Sequence, residues 1–421
     1  MRFVLPLLVL ACGNPEPEDS GTPAPPLSDL PTAACGTADY DWVALDSMGD
    51  LVDWERMPEL DTSAAVIRGL LSGAGYPVEL LPITYDVRVY RVRYLTQDRG
   101  RTVETTGIVS VPDTDGSFPT VAWLHGTTGF SDGCAPSGQG LEGAAGNLLL
   151  SSMGAVVAAP DYLGMNGWGE ASDMLHPYVI AEPTAVASLD SIRAAWNLVA
   201  EDPGIDATAE RRTVFFGGSE GGFAALWSER YAPWYLPEAE VVATVASVPP
   251  SDVTGLAAHG AEVAGPTTLA LAAAMTAHRD WYGYEAPMTD IFTDEDPTFV
   301  ASTLYDVMDS TCDAGGAFDG ISTVEEVYTE SFRTSATAGD WEALGEWGCG
   351  LVANSLATSP IPRISDEPVL YVISGADELV YHQTNRDDVP RLCDQGYALE
   401  IIECEGASHT CLLYTSDAAD E

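Results

Sequence analysis

The segment of this chain best suited to chemistry is a G-x-S-x-G pattern, in which Gly217 and Gly221 flank Ser219. An apolar run, 214–216, precedes the pattern, and a stretch of helical character, 223–230, follows it. The pattern alone occurs by chance in many proteins, but between a strand and a helix it is typical of a sharp turn that projects the serine hydroxyl above a sheet. Strain at the serine and small flanking glycines make that turn possible. We therefore predict that Ser219 is a nucleophile.

A serine nucleophile needs a histidine base, which in turn needs a carboxylate to fix its tautomer. In sheets with this turn the order along the chain is serine, acid, histidine. His382 and His409 are the two histidines that follow the serine at a suitable distance from a later strand. We predict that His409 is the base, because it comes directly after the last apolar run, with His382 as the alternative. His259 and His278 fall in a long intervening segment and are expected to be surface or lid residues.

Asp377 is the predicted acid. It follows the apolar run 369–373 at the point where the chain leaves a buried strand, and the carboxyl ends of such strands are where α/β folds assemble their sites. Glu378, Asp366 and Asp387 are the competing carboxylates, and we interpret them as solvated charges.

The turn 125–129 is a candidate for stabilising negative charge on a reacting oxygen. Two backbone amides can donate to such an oxygen, one from this turn and one from the residue after the nucleophile. We assign these donors to Thr127 and Glu220. His125 is expected to be a structural hydrogen-bonding residue.

The elements that must position these residues form an α/β pattern. Residues 86–96 and 102–111 are β-branched, aromatic and roughly alternating, which predicts two antiparallel strands. Later apolar runs are short and continuous, as in parallel strands that are buried on both faces; they are 120–124, 155–159, 214–216, 241–245, 369–373 and 399–402. Apolar residues at helical spacing in 186–199 predict a helix that covers the sheet. The sequence therefore predicts a doubly wound, mostly parallel sheet flanked by helices.

A stretch of about 120 residues separates the fourth and fifth of these runs, which is too long for a loop. We predict that this insertion, 248–367, is a helical cap or lid, with helices at 267–278 and 341–351. The catalytic core is then 34–247 together with 368–410.

The N-terminus has the pattern of an export signal. Residues 1–11 contain one arginine and an apolar run too short to span a bilayer, which predicts a signal peptide. The run Val9–Cys12 resembles a bacterial lipobox, so Cys12 is the predicted lipidation site, followed by a flexible linker over 12–33 that is rich in Pro, Glu, Ser and Gly. The protein is therefore expected to be exported and either anchored by lipid at the cell envelope, with the outer membrane favoured, or secreted. An ordinary signal peptide that contains a cysteine is the alternative.

The last residues of the sequence affect the cysteine count, because they include Cys411. Residues 411–421 resemble the translation of a sequencing adapter and are predicted to carry no biology. Without Cys12 and Cys411, six cysteines remain, an even number that favours disulfides in an exported protein. Proximity in sequence predicts the pairs Cys312–Cys349, Cys393–Cys404 and Cys35–Cys134.

Composition limits the partners. The net charge is −47, and all 17 basic residues are arginine, which excludes nucleic acid as a ligand. The spacing of Cys and His supports no metal site. We expect a monomer.

Together these segments resemble the α/β-hydrolase superfamily and, within it, the secretory lipase family. The residues that carry the resemblance are 125–129, 134–137, 159–164, 176–178 and 217–222. The resemblance implies hydrolysis of triacylglycerols or simpler carboxylic esters, no cofactor, and a lid inserted before the strand that carries the acid. A serine peptidase or amidase on the same fold and a non-catalytic tethered binding protein are the alternatives.

Overall fold

The structure is a computed structural model, and it describes Cys12, residues 24–32, 34–38 and 41–293, Cys312 and residues 321–409. The predicted signal peptide and adapter-derived tail, and part of the insertion, lie outside these residues.

The described residues form one nine-stranded sheet with the order β1-β2-β3-β5-β4-β6-β7-β8-β9. The pairs β1–β2, β2–β3 and β3–β5 are antiparallel. All other neighbouring pairs, from β5–β4 to β8–β9, are parallel. The predicted mostly parallel sheet is therefore confirmed. The strands are β1 (Leu51–Arg56), β2 (Val87–Asp98), β3 (Arg101–Pro112), β4 (Gly116–Leu124), β5 (Val156–Pro160), β6 (Ala207–Gly218), β7 (Glu240–Ser247), β8 (Pro368–Ser374) and β9 (Ala398–Cys404).

Helices cover both faces of the sheet. Because side chains alternate along a strand, neighbouring β2 residues enter different cores: Val89 packs in one cluster with Leu148, and Tyr90 packs in the other with Leu189. The helices are α1 (Ala64–Gly73), α2 (Gly140–Ser152), α3 (Ala181–Glu201), α4 (Glu220–Tyr235), α5 (Val253–Gly260), α6 (Pro266–Tyr282), α7 (Glu330–Ala338), α8 (Glu346–Ala353) and α9 (His382–Asp394). Among the described residues, no helix combines the length and hydropathy needed to cross a bilayer.

The described part of the insertion consists of α5 to α8 and short turns. The helix predicted at 267–278 lies within α6, but the one predicted at 341–351 is interrupted. Gly345 has a φ of 56° and separates a 3-10 turn, Glu342–Leu344, from α8. A positive φ of this kind is readily adopted by glycine and ends a helix.

All three predicted disulfides are wrong. The structure joins Cys12 to Cys393, Cys35 to Cys349 and Cys134 to Cys312, and Cys404 is also disulfide-bonded. Proximity in sequence fails because the fold brings distant segments together. The amides of Thr37 and Ala38 donate to the carbonyls of Gly283 and Tyr282, which places the segment that holds Cys35 at the end of α6.

Candidate active site

Ser219 occupies the turn between β6 and α4 with φ 57° and ψ −126°, a conformation that residues with a side chain rarely adopt. A Cβ at Gly217 would lie 2.1 Å from the Gly221 carbonyl oxygen, and one at Gly221 would lie 1.9 Å from that of Leu124. Both values are below the 3.0 Å that real Cβ atoms keep. The amide of Ser219 donates to the Ser247 carbonyl at 2.8 Å. The tightness of this turn therefore explains both glycines.

Ser219, His409 and Asp377 lie in one hydrogen-bonded chain. His409 Nε2 is 2.8 Å from Ser219 Oγ, and His409 Nδ1 is 2.8 Å from Asp377 Oδ2. The second oxygen of the buried Asp377 accepts the amides of Leu379 and Val380 at 2.9 and 3.0 Å. A carboxylate at Nδ1 holds the proton there, so Nε2 is free to accept the proton of the serine hydroxyl.

The neighbouring strands β8 and β9 hold the acid and the base together. At the ends of these strands, the amide of Gly375 donates to the carbonyl of Cys404, the last residue of β9, at 2.8 Å, and the amide of Ala376 donates to the carbonyl of Ala407 at 2.9 Å. The loops that carry Asp377 and His409 are therefore tied to each other by their backbones.

The other candidate residues take no part in the hydrogen bonds between Ser219, His409 and Asp377. His382 Nδ1 faces the main-chain carbonyl of Asp377 at 3.2 Å, not its carboxylate. The three competing carboxylates, Glu378, Asp366 and Asp387, are exposed.

The two insertion histidines differ from each other. His259 is half-buried and stacks on Tyr381 with ring centroids 3.7 Å apart. His278 lies on α6, within the segment predicted to be a lid, and it is not a surface residue: it is fully buried, with Nε2 3.0 Å from the Val179 carbonyl. Burial lowers the pKa of His278 to about 4.

The predicted oxyanion turn lies against the nucleophile. Leu124, at the end of β4, pairs with Gly217, at the end of β6, so the residues after both strands meet at one edge. A Cβ built on Gly126 would lie 3.5 Å from Ser219 Cβ. The hydroxyl of Thr127 is 2.9 Å from that of Tyr178, which anchors the turn from the other side.

His125 has a structural environment, as expected. Its ring packs on Tyr162 at 4.3 Å, and its Nδ1 is 2.7 Å from the Gly126 carbonyl. Burial lowers the pKa of His125, although the negative charges of Glu220 and Asp161 oppose the shift.

A cavity of about 480 Å³, part of it open to solvent, lies at Ser219. Helices α5 and α6 and the segment after Asp377 supply a largely apolar lining that includes Val253, Leu256, Ala270, Leu271, Ala274 and Val380.

Two buried polar contacts at the site were missed from the sequence. His176 Nε2 is 2.9 Å from Glu220 Oε1, next to the nucleophile. Asp161 accepts hydrogen bonds from Ser137 and from the Thr106 hydroxyl. His176 belongs to a motif used only for the resemblance, and nothing in the local pattern indicates its partner. The described residues hold no cluster of three or more His, Cys, Asp or Glu suited to a metal ion.

Comparisons with known proteins agree with this fold. The sequence profile of the family described as "Secretory lipase" matches residues 146–419. The rice cell wall degrading esterase LipA from Xanthomonas oryzae has a similar structure, with a TM-score of 0.69 at 19% identity over 88% of this chain and 94% of that one. Candida antarctica lipase A in its closed state is similar with a TM-score of 0.59 at 15% identity over 86% of this chain and 78% of that one. No protein with a curated description matches the sequence.

Proposed function

The chain belongs to the secretory lipase family, and from that premise we propose that it is a serine hydrolase of carboxylic esters that works through an acyl-enzyme. The observation that carries the proposal is the chain of 2.8 Å contacts from Asp377 through His409 to Ser219. Distances of this kind are those that proton transfer from nucleophile to base requires.

In the proposed reaction, Ser219 Oγ attacks the ester carbonyl carbon while His409 Nε2 takes the hydroxyl proton. The carbonyl oxygen becomes negatively charged and accepts hydrogen bonds from the amides of Thr127 and Glu220. The carbon–oxygen bond to the alcohol then breaks, and His409 gives its proton to the leaving oxygen. Water repeats the sequence on the acyl-enzyme and releases the acid. Asp377 stays ionised and stabilises the imidazolium.

The apolar cavity supports an ester with a hydrocarbon acyl group. Its walls come largely from α5 and α6, so the insertion 248–367 acts in this proposal as a cap over the acyl chain. Apolar walls stabilise each methylene that they remove from water by ~0.8 kcal/mol, which favours acyl chains over polar substituents.

Replacement of the nucleophile tests the proposal. Ser219→Ala and His409→Ala should each lower kcat on a soluble p-nitrophenyl ester by about 10⁴ to 10⁶-fold, and the double variant by little more, because the residues act as one unit. A fluorophosphonate probe should label the wild type on Ser219 only. Ser228→Ala is the matched control, since Ser228 is a buried serine on α4, the helix that follows Ser219. Wild-type hydrolysis by Ser219→Ala would contradict the proposal.

Membership of the family and the disulfides fit an exported protein. The proposed lipid anchor at Cys12 is a separate matter, because the disulfide to Cys393 uses the same sulfur atom as a thioether would. Peptide mapping of the unreduced mature protein decides between them. A diacylated Cys12 with a free thiol at Cys393 supports the anchor, and a peptide that joins the two cysteines contradicts it.

A further inference from the structure

The carboxylate of Glu220 is buried beside the nucleophile. Glu220 is the first residue of α4, and its side chain is 1% exposed. Its Oε1 lies 2.9 Å from His176 Nε2, while Oε2 has no hydrogen-bond partner among the described residues. An ionised carboxylate in such a place is unfavourable unless a partner compensates its charge. His176, which is itself fully buried, is the partner in contact.

The hydrogen-bond geometry fixes how many protons this pair holds. His176 Nδ1 is 2.8 Å from the Leu163 carbonyl oxygen, which can only accept, so Nδ1 carries a hydrogen. The contact between Nε2 and Glu220 Oε1 needs one more proton, on either atom, because two lone pairs would repel each other. The pair is therefore neutral as a whole, either as imidazolium and carboxylate or as two neutral groups.

A negative charge on Glu220 acts on Tyr178, which contacts the proposed oxyanion turn. Burial and the negative charge of Glu220 together raise the pKa of Tyr178, whose hydroxyl contacts that of Thr127. Other groups nearby cannot replace His176 as the source of the proton. His125 donates its Nδ1 hydrogen to Gly126, and burial lowers its pKa; His409 is engaged with Ser219 and Asp377. The titratable groups that interact with Glu220 are His125, Tyr162, His176 and Tyr178.

We infer that the proton held by His176 neutralises the Glu220 carboxylate beside the oxyanion, and that fast attack by Ser219 depends on this neutralisation. The inference rests on the proposed hydrolase mechanism, in which the amide of Glu220 binds the tetrahedral oxygen. A second negative charge on the same residue would oppose the charge that develops there. His176 acts through Glu220, so it is a positioning residue.

A double-mutant cycle tests the inference. His176→Gln keeps a hydrogen-bond donor but cannot hold the extra proton, so it should lower kcat at pH 8 by roughly 10²-fold with little change in KM. When residue 220 is Gln, the same change should lower kcat by less than about threefold relative to Glu220→Gln alone, because no charge is left to neutralise.

Glu229→Gln is the matched control. Glu229 lies on the same helix, is fully buried, and has one oxygen 3.0 Å from Arg363 and the other unpartnered among the described residues. Loss of the Glu229 charge should lower the melting temperature but leave kcat at pH 8 as in the wild type. If His176→Gln does not fold, His176→Asn takes its place in the same cycle, since it also keeps a side-chain amide donor and cannot hold the extra proton.

The results separate this inference from the proposed function. An equal loss of kcat from His176→Gln with Glu or Gln at position 220 would overturn the inference, as would a loss of kcat that comes with an equal rise in KM. If Ser219→Ala abolishes activity at the same time, the hydrolase proposal stands. If Ser219→Ala is active, both fail.

Discussion

At the scale of single residues, the site stores strain at its nucleophile. A non-glycine residue with the backbone angles of Ser219 costs of order 1–3 kcal/mol, which the surroundings must offset. Three hydrogen bonds hold the backbone of Ser219. Its amide donates to Ser247, and its carbonyl accepts the amides of Gly222 and Phe223. These bonds keep the hydroxyl at the mouth of the cavity before any substrate binds.

Asp377→Asn should keep the fold and lower kcat by about 10⁴-fold, because an amide at this position favours the wrong tautomer of His409. The asparagine oxygen can still accept the amides of Leu379 and Val380, so the melting temperature should change little. Steady-state kinetics on a soluble ester and thermal unfolding are the measurements. His382→Ala is the control and should be nearly silent; a loss of activity there instead would reverse the assignment of the base.

The sequence predicted Ser219, Asp377 and His409 because the turn chemistry and the order along the chain leave few choices. It did not predict the contact between His176 and Glu220, which are 44 residues apart. That pairing depends on how the loop after β5 packs against the turn between β6 and α4, and no local spacing predicts it. The order of serine, acid and histidine is a rule that links residues as far apart as Ser219 and His409, 190 positions, whereas no comparable rule links His176 to Glu220.

At the scale of elements, the cavity at Ser219 has room because one face of α6 carries small side chains. Ala270 and Ala274 are four residues apart, so they lie on the same side of the helix and both line the cavity. Small side chains there leave room that larger ones would fill. The neighbouring α5 contributes Val253 and Leu256 to the same apolar wall.

Ala274→Leu should shorten the preferred acyl chain. Three added carbons in a lined cavity exclude the end of a long acyl group, so kcat/KM should fall by more than about tenfold on a palmitate ester and by less than about threefold on acetate. A series of p-nitrophenyl esters measures the effect. Asp280→Leu adds the same side chain at an exposed position of α6 and should leave the series unchanged. A uniform loss on every ester would argue against an acyl site here.

Elements were predictable where burial on both faces makes a strand apolar throughout, as in β5 and β8. Strand β1 was missed because half of its six residues are charged, and its side chains are partly or fully exposed. Helix α1 was missed because it is short, although Ser63 caps its start by accepting the amide of Val66. These elements depend on packing against the sheet for their stability, and local propensity alone does not identify them.

At the scale of the whole molecule, the disulfides connect segments that are far apart in sequence. Cys35 and Cys349 are separated by 314 residues, and Cys134 and Cys312 by 178. Each of these bonds joins the insertion to a segment outside it. Long closed loops of this kind restrict the unfolded chain strongly, so they stabilise the fold even when the bonded residues lie far from the chemistry.

Replacing Cys35 and Cys349 together by Ser should lower the free energy of unfolding by about 2–5 kcal/mol and leave kcat at low temperature within about twofold of the wild type. The bond joins the segment that packs at the end of α6 to the middle of α8 and does not contact Ser219, so its loss acts on stability. Denaturant titration and kinetics at 15 °C measure both effects. A large fall in kcat with unchanged stability would show instead that the bond shapes the cavity.

The order of the sheet has a consequence for how activity is lost. Strand β9, which leads to His409, is an edge strand that pairs only with β8 among the described residues. Edges open by local unfolding at lower free energy than the centre of a sheet, which here is formed by β4 and β6. Fraying of β9 would move His409 away from Ser219 while the turn that holds Ser219 and most of the core remain native. Inactivation by heat or denaturant should therefore precede the loss of circular dichroism, and it should reverse on cooling as long as the core has not melted.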